Sequence, residues 1–161
     1  MVAIASRFVR ALAAFLLLPG IVAFAVPVLL LWPEVVSRVP GAAGLVPFVA
    51  GIFLLGWCVR DFFVAGKGTL APWDPPQRLV IVGLYRISRN PMYIAVSLIL
   101  IGWAVSYRSW TLAMYTLAVM VLFELRVVFG EEPWLDRTHQ EDWRRYAARV
   151  PRWLFGRRAL K

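Results

Sequence analysis

The sequence predicts an all-α integral membrane protein with about four transmembrane helices. Of its 161 residues, 61% are hydrophobic and only 17% are charged, and the mean hydropathy is +0.69. These values are too apolar for an ordinary soluble domain, and the length allows a single domain over residues 1–161. Long uncharged runs recur along the chain, and a helix that crosses a bilayer needs roughly 20 apolar residues.

Four apolar runs give the predicted spans in chain order. The first covers residues 11–32 and is too long for the core of a signal peptide, so we expect it to be retained. The second covers residues 41–59 and the third covers residues 91–107. The fourth covers residues 109–123, and it extends further if the helix continues through two charged residues.

The distribution of lysine and arginine predicts the orientation of the chain. Of the 18 basic residues, all but Arg38 and Arg108 lie in the N-terminus, in the long loop before the third span, or from Arg126 onward. Cytoplasmic segments are enriched in these residues. We therefore expect both termini and the long loop to be cytoplasmic, in a prokaryotic cytoplasmic membrane. The formal charge of +9 then reflects orientation, and we expect no nucleic-acid partner.

A very short link around Arg108 joins the last two spans, so they must form an antiparallel hairpin. The start of the third span ("RNPMY") and the end of the fourth ("FGEEPW") then meet at the cytoplasmic face. Packed helices lie about 8 to 10 Å apart, which is close enough for side chains of both to share one pocket. The polar residues expected in this charged pocket are Arg86, Arg89, Asn90, Glu131 and Glu132.

Each of these residues also has a purely structural interpretation. Asn90 before Pro91 suits a helix N-cap followed by a proline at the first helical position. Arg89 suits an anchor at the cytoplasmic face, with Glu131 as its partner. However, Glu131 and Glu132 are adjacent and near the predicted C-terminal end of a helix, where carboxylates are unfavourable. This arrangement indicates a cationic partner or ligand.

Glu124 and Arg126 lie in the final turns of the fourth span, where an ionisable side chain is a functional hypothesis by default. Glu124 precedes Glu131 by seven residues, so we expect both on one stripe, opposite Tyr93 and Ser97 on the third span. Glu124 is therefore a candidate ligand-binding residue. The alternative is an internal ion pair, with Arg60, Arg86 or Arg126 as its partner.

The second loop and the C-terminal region carry further signals. Gly66 and Gly68 permit close approach of the backbone to a ligand, although they also suit a helix C-cap. After the glutamates, apolar residues recur at helical spacing between arginines, which predicts an amphipathic interfacial helix with its aromatic side toward the bilayer. The residues at this spacing are Leu135, His139, Trp143, Tyr146 and Val150.

We expect no metal site and no disulfide. His139 is the only histidine, and no second ligand lies near it in the sequence. Cys58 is the only cysteine and lies within the second apolar run, which favours a buried structural role.

Three stretches carry a resemblance to a known family. "GLYRISRNPMY" (83–93), "EEPWL" (131–135) and "WRRYAARVPRW" (143–153) resemble the isoprenylcysteine carboxyl methyltransferase family, which shares its C-terminal half with the phospholipid N-methyltransferases. The resemblance covers about residues 64–153, so 64–153 is the expected cofactor-binding catalytic half and 1–63 contributes two N-terminal spans. Asn90 replaces the usual histidine, and Ala95 replaces a usual glycine.

The resemblance implies S-adenosylmethionine as the cofactor. Arg89 and the first turn of the third span would bind its carboxylate. The two glutamates would bind its ammonium and ribose, and the ring of Tyr93 would lie near its sulfonium. The implied cofactor-binding residues are Gly66, Gly68, Arg89, Asn90, Pro91, Tyr93, Glu131 and Glu132.

The resemblance also implies methyl transfer to a lipophilic acceptor that comes from the bilayer. Arg86, Glu124 and Tyr93 are the implied catalytic residues, with Arg86 orienting an acidic acceptor or a lipid phosphate and Glu124 acting as base for an amine. An isoprenoid-bearing carboxylate or thiol is the first choice of acceptor. The alternatives are a phospholipid amine, a small thiol, or a scaffold or transporter without enzymatic activity.

Overall fold

The computed structural model describes residues 16–65 and 79–154, which are mostly helical with no strand among them. The N-terminal part consists of a π-helical segment Leu16–Ala25, α1 (Val26–Leu30) and α2 (Trp32–Ser37). The central part consists of α3 (Ala42–Ala65), a 3-10 turn Gly83–Arg86, α4 (Pro91–Tyr107) and α5 (Trp110–Arg126). A π-turn, Val127–Glu131, then leads into α6 (Glu132–Arg149).

The apolar helices confirm the membrane character of the chain. Within the described residues, two helices are long and apolar enough to cross a bilayer, namely Ala42–Asp61 with a mean hydropathy of 2.1 and the continuous helix Trp110–Arg149. The predicted third span has the same bounds as α4, but this helix has only 17 residues. Residues 11–15 of the first predicted span lie outside the described residues. Four complete spans therefore remain a prediction.

Helix α4 is the centre of the helical bundle and packs closely against α3. A Cβ atom on Gly51 would lie 2.7 Å from the carbonyl oxygen of Ala95, and one on Gly102 would lie 2.7 Å from the backbone nitrogen of Phe48. Small residues at these two positions let the helix backbones approach each other, which is how helices commonly associate in membranes. The buried residues of this core include Leu55, Ala95, Val96, Ile99 and Leu100.

The hairpin of α4 and α5 confirms the short link predicted at Arg108. Arg108 has a left-handed conformation (φ 50°, ψ 41°) and ends α4. Ser109 follows as the N-cap of α5, because its Oγ accepts a hydrogen bond from the amide of Leu112 at 3.3 Å. Pro91 is the first residue of α4, so the two ends of the hairpin bring the mouth of α4 toward the end of α5.

The structure corrects the expectation that a helix ends at the two glutamates. The chain continues from α5 through the π-turn into α6, so Glu131 and Glu132 lie inside one helical path. They do not lie at the negative end of a helix dipole. The unfavourable interaction with that dipole, which the sequence suggested, is therefore absent. The π-turn also adds one residue to its turn, which changes the side of the helix on which later residues lie.

The structure also corrects the environment of the predicted interfacial helix. Helix α6 is present, with a break at Gln140 (φ 41°, ψ −111°). Its aromatic side packs inward, since Trp143, Tyr146 and Val150 are buried in one cluster with Leu79 packed against them. The hydroxyl of Tyr146 donates to the carbonyl oxygen of Tyr85 at 2.7 Å, which fixes α6 to the 3-10 turn before α4.

Candidate active site

Glu132 lies between two arginines that come from distant parts of the chain. Arg89 forms an ion pair with it, with Nη1 3.0 Å from Oε1, so the mouth of α4 lies beside this glutamate. Arg152 binds the same carboxylate in a bidentate manner, from Nε to Oε1 at 2.9 Å and from Nη2 to Oε2 at 2.7 Å. Paired bonds of this kind hold a carboxylate in a fixed plane.

Glu131 points toward different partners from those of Glu132. The hydroxyl of Tyr93 donates a short hydrogen bond to its Oε1. Arg126 donates from Nε to the same oxygen at 2.7 Å and also lies 3.1 Å from the Tyr93 hydroxyl oxygen. The ring of Tyr93 packs on Phe123 with 4.4 Å between the centroids. The suggested Arg89–Glu131 pair is therefore replaced by a triad of Tyr93, Arg126 and Glu131.

Glu124 takes part in an internal ion pair, but with a partner that the sequence did not indicate. Its Oε1 accepts from Nη1 of Arg152 at 3.0 Å, and its Oε2 accepts from Nε1 of Trp153 at 2.6 Å. Arg152 thus bridges Glu124 and Glu132, which are eight residues apart. In a regular α-helix, residues about seven apart lie on the same side. The π-turn between Glu124 and Glu132 adds one residue, which accounts for the spacing of eight.

Arg89 is the most enclosed cation of the site. Its side chain is only 14% exposed, and its guanidinium lies over the Trp143 ring at 5.4 Å from the centroid. Burial lowers the pKa of the guanidinium from its ordinary value, while the charge of Glu132 acts in the opposite direction. Its Nε is buried and has no hydrogen-bond partner among residues 16–65 and 79–154.

The mouth of α4 is held by the segment of residues 150–153, which we call the C-terminal strap. The strap accepts bonds at the carbonyl oxygen of Arg152, from Oγ of Ser88 at 3.1 Å and from Nδ2 of Asn90 at 3.1 Å. The amide of Arg89 donates to the carbonyl oxygen of Pro151 at 2.9 Å. Asn90 occupies the N-cap position, but its side chain makes no capping bond, which corrects the structural interpretation of this residue.

Some predicted site residues lie apart from this cluster. Arg86 is exposed and donates from Nε to the carbonyl oxygen of Ile81 at 3.5 Å, away from the glutamates. Ser97 donates to the carbonyl oxygen of Tyr93 within its own helix, at 2.8 Å. Gly66 and Gly68 fall outside the described residues. Their roles, like that of Arg86, remain predictions.

Sequence reasoning missed Arg152 and Trp153. Both belong to the stretch "VPRW", for which the sequence indicated no role in the site. The proline after α6 was the available signal, because a proline shortly after a helix marks the point where the chain turns. With these residues included, the site combines three arginines (Arg89, Arg126 and Arg152) with three glutamates (Glu124, Glu131 and Glu132), so its formal charges balance.

The site thus gathers polar groups at one end of an apolar helical hairpin, and the comparison with known families gives the class of protein, a membrane methyltransferase. Residues 42–142 match the sequence model of the phospholipid methyltransferase family, which covers well over half of the chain. The chain belongs to this family. The match includes α3, which the resemblance had left out, and it ends before the C-terminal strap. The chain matches no curated protein and no solved structure significantly.

Proposed function

We propose that the chain transfers a methyl group from S-adenosylmethionine to a lipophilic acceptor at the cytoplasmic face of the membrane. The observation that carries this proposal is the meeting of Arg89 and Tyr93 with the two adjacent glutamates. Family membership supports a methyltransferase, and this cluster has the donors and acceptors that the polar end of the cofactor requires.

The residues present fit the cofactor. The free Nε donor of Arg89 suits a carboxylate, in an environment that is already largely dehydrated. Each carboxylate oxygen has more than one lone pair, so Glu131 and Glu132 can accept from an ammonium or a hydroxyl while keeping an arginine. We assign Arg89 to the carboxylate of the cofactor and the two glutamates to its ammonium and ribose.

When bound, S-adenosylmethionine supplies an electrophilic methyl group, and its transfer is an in-line displacement. The work of the protein is then to hold the reactants in line and to exclude water. Tyr93 is oriented by Glu131 and Arg126 on one side and by Phe123 on the other, so its ring is fixed at the site. Glu124 has a side chain 43% exposed and can receive the proton that an amine acceptor must lose.

For the acceptor, membership of the phospholipid methyltransferase family favours a phospholipid amine. The sequence resemblance had placed an isoprenoid-bearing carboxylate or thiol first. In either case the long hydrocarbon tail would stay in the bilayer, and only the head group would reach the site. Arg86 would orient a lipid phosphate or an acidic head group at the cytoplasmic rim.

Calorimetry with S-adenosylmethionine on Glu132→Gln tests the cofactor site. Loss of a charge-assisted hydrogen bond should weaken binding by about 1–3 kcal/mol. Glu141→Gln is the matched control, because Glu141 is 67% exposed and pairs with Arg145 along α6. Equal affinity in both variants would remove Glu132 from the site.

Labelled cofactor and nanodiscs with single-head-group lipids then identify the acceptor. Methylation of phosphatidylethanolamine is the expected result. Activity only on a prenylated carboxylate or thiol would restore the first choice from the sequence. Activity only on a water-soluble thiol, with no lipid methylated, would contradict the proposal that the acceptor reaches the site from the bilayer.

A further inference from the structure

We infer that Arg152 is a positioning residue for the acidic half of the site. The inference rests on the proposed function, because it concerns the carboxylates that the proposal assigns to the cofactor and the acceptor. Arg152 lies outside the region that matches the family, residues 42–142. Its role therefore rests on its own contacts.

The guanidinium of Arg152 fixes two carboxylates relative to each other. Two of its nitrogens bind both oxygens of Glu132, at 2.9 and 2.7 Å, and the third binds Glu124 at 3.0 Å. A guanidinium is planar and always charged, so it can hold two carboxylates in one arrangement. Hydrogen bonding to Glu132 raises the pKa of Arg152 further. Without this cation, Glu124 and Glu132 would repel each other across the π-turn.

The backbone of Arg152 is attached to the other half of the site. Its carbonyl oxygen accepts from Ser88 and Asn90 at the mouth of α4, and the amide of Arg89 is bonded to the preceding carbonyl. One residue therefore connects the start of α4 with the glutamates of α5 and α6. This gives Asn90 a function as well, because its side-chain amide anchors the C-terminal strap.

The two arginines on Glu132 have different surroundings. Arg89 is buried and keeps one unpaired donor, as expected for a group that contacts a ligand. All three guanidinium nitrogens of Arg152 are bonded to carboxylates of the chain, and its side chain is 33% exposed at the rim. We therefore assign ligand contact to Arg89 and support of Glu124 and Glu132 to Arg152.

Steady-state kinetics of Arg152→Gln and Arg152→Lys test this assignment. Arg152→Gln should raise the KM and the Kd for S-adenosylmethionine at least about tenfold, because Glu132 loses a bidentate charged partner. Arg152→Lys should recover only part of the loss, since an ammonium cannot bridge both carboxylates in the same geometry. Arg149→Gln is the control, because Arg149 is exposed and is the last residue of α6, three residues before Arg152.

The pattern of kinetic constants separates positioning from a general structural role. A structural role would lower the folded fraction, and with it kcat, while both KM values stayed unchanged. Positioning should change the KM for the cofactor more than the KM for the acceptor. If Arg152→Gln does not fold, Arg152→Lys keeps the charge and carries the test.

Two results would overturn the inference. If the wild-type protein binds the cofactor and the KM of either Arg152 variant stays within about twofold of that of Arg149→Gln, Arg152 does not position the site. The proposed function would then still stand. If the wild-type protein binds no S-adenosylmethionine, the proposed function fails and this inference fails with it.

Discussion

Gly83 is required by both its backbone conformation and its neighbours. Its φ is +53°, a value that favours glycine, and a Cβ atom there would collide with the carboxylate of Asp61 and lie 3.0 Å from Nε1 of Trp57. Asp61 is 5% exposed, and its Oδ2 has no hydrogen-bond partner in the part of the chain that the structure describes. The 3-10 turn that begins at Gly83 thus covers a buried carboxylate at the end of α3.

Replacing Gly83 with alanine should destabilise the protein. The left-handed conformation alone costs about 1–2 kcal/mol for a residue with a side chain, and displacement of Asp61 adds to it. Thermal unfolding in detergent measures the effect. Adding Asp61→Ala should recover the part that comes from the collision but not the part that comes from φ. A Gly83→Ala variant as stable as the wild type would contradict this account.

At the scale of elements, the contact between α3 and α4 depends on glycine at positions where the helices meet. A Cβ atom on Gly51 would lie 2.7 Å from the carbonyl oxygen of Ala95 and 2.8 Å from the amide nitrogen of Ile99. These are backbone atoms of a neighbouring helix, so they cannot move away by a change of rotamer. The two helices would have to separate.

Gly51→Ala should therefore destabilise the bundle by about 1–3 kcal/mol, the usual cost of overpacking. Gly56→Ala is the matched control on the same helix, because no described residue lies within 4 Å of a Cβ atom there. That variant should be neutral or slightly stabilising, since alanine favours helix. Unfolding in detergent by heat or denaturant gives both values. Equal stability of the two variants would show that the helices do not pack as closely as described.

The elements also show what the sequence could predict. The start of α4 at Pro91 and the link at Arg108 follow from local signals, namely a proline after a polar residue and a single charge between apolar runs. The meeting of Arg89 with the glutamates follows from the hairpin. These features need no knowledge of contacts between distant residues.

The π-turn and the C-terminal strap could not be predicted in the same way. "VVFGE" is apolar and continues the pattern of α5, so nothing local marks the extra residue of the turn. The partners of Arg152 lie 20 to 64 residues away in the chain. Contacts between distant parts of the chain decide such pairs. The sequence therefore suggested Arg126 as a partner of Glu124, although it binds Glu131, and suggested no partner for Arg152.

At the scale of the whole molecule, the two loops poor in basic residues lie at one end of the bundle. The amide of Gly41 donates to the carbonyl oxygen of Ser106 at 2.9 Å, which brings the start of α3 to the end of α4. Arg38 and Arg108 flank this contact. The candidate active site is at the opposite end of α4, beyond Pro91. This separation agrees with the proposed orientation, in which the active site faces the cytoplasm.

Cysteine labelling in intact cells tests that orientation. Cys58 is the only cysteine in the chain and is fully buried, so it provides a low background. Arg38→Cys and Arg108→Cys should react with a membrane-impermeant maleimide from outside, because both positions are exposed and belong to the segments with few basic residues. Arg149→Cys, exposed at the end of α6, should react only after permeabilisation. The reverse pattern would place the active site outside the cell, where an intracellular cofactor does not reach it.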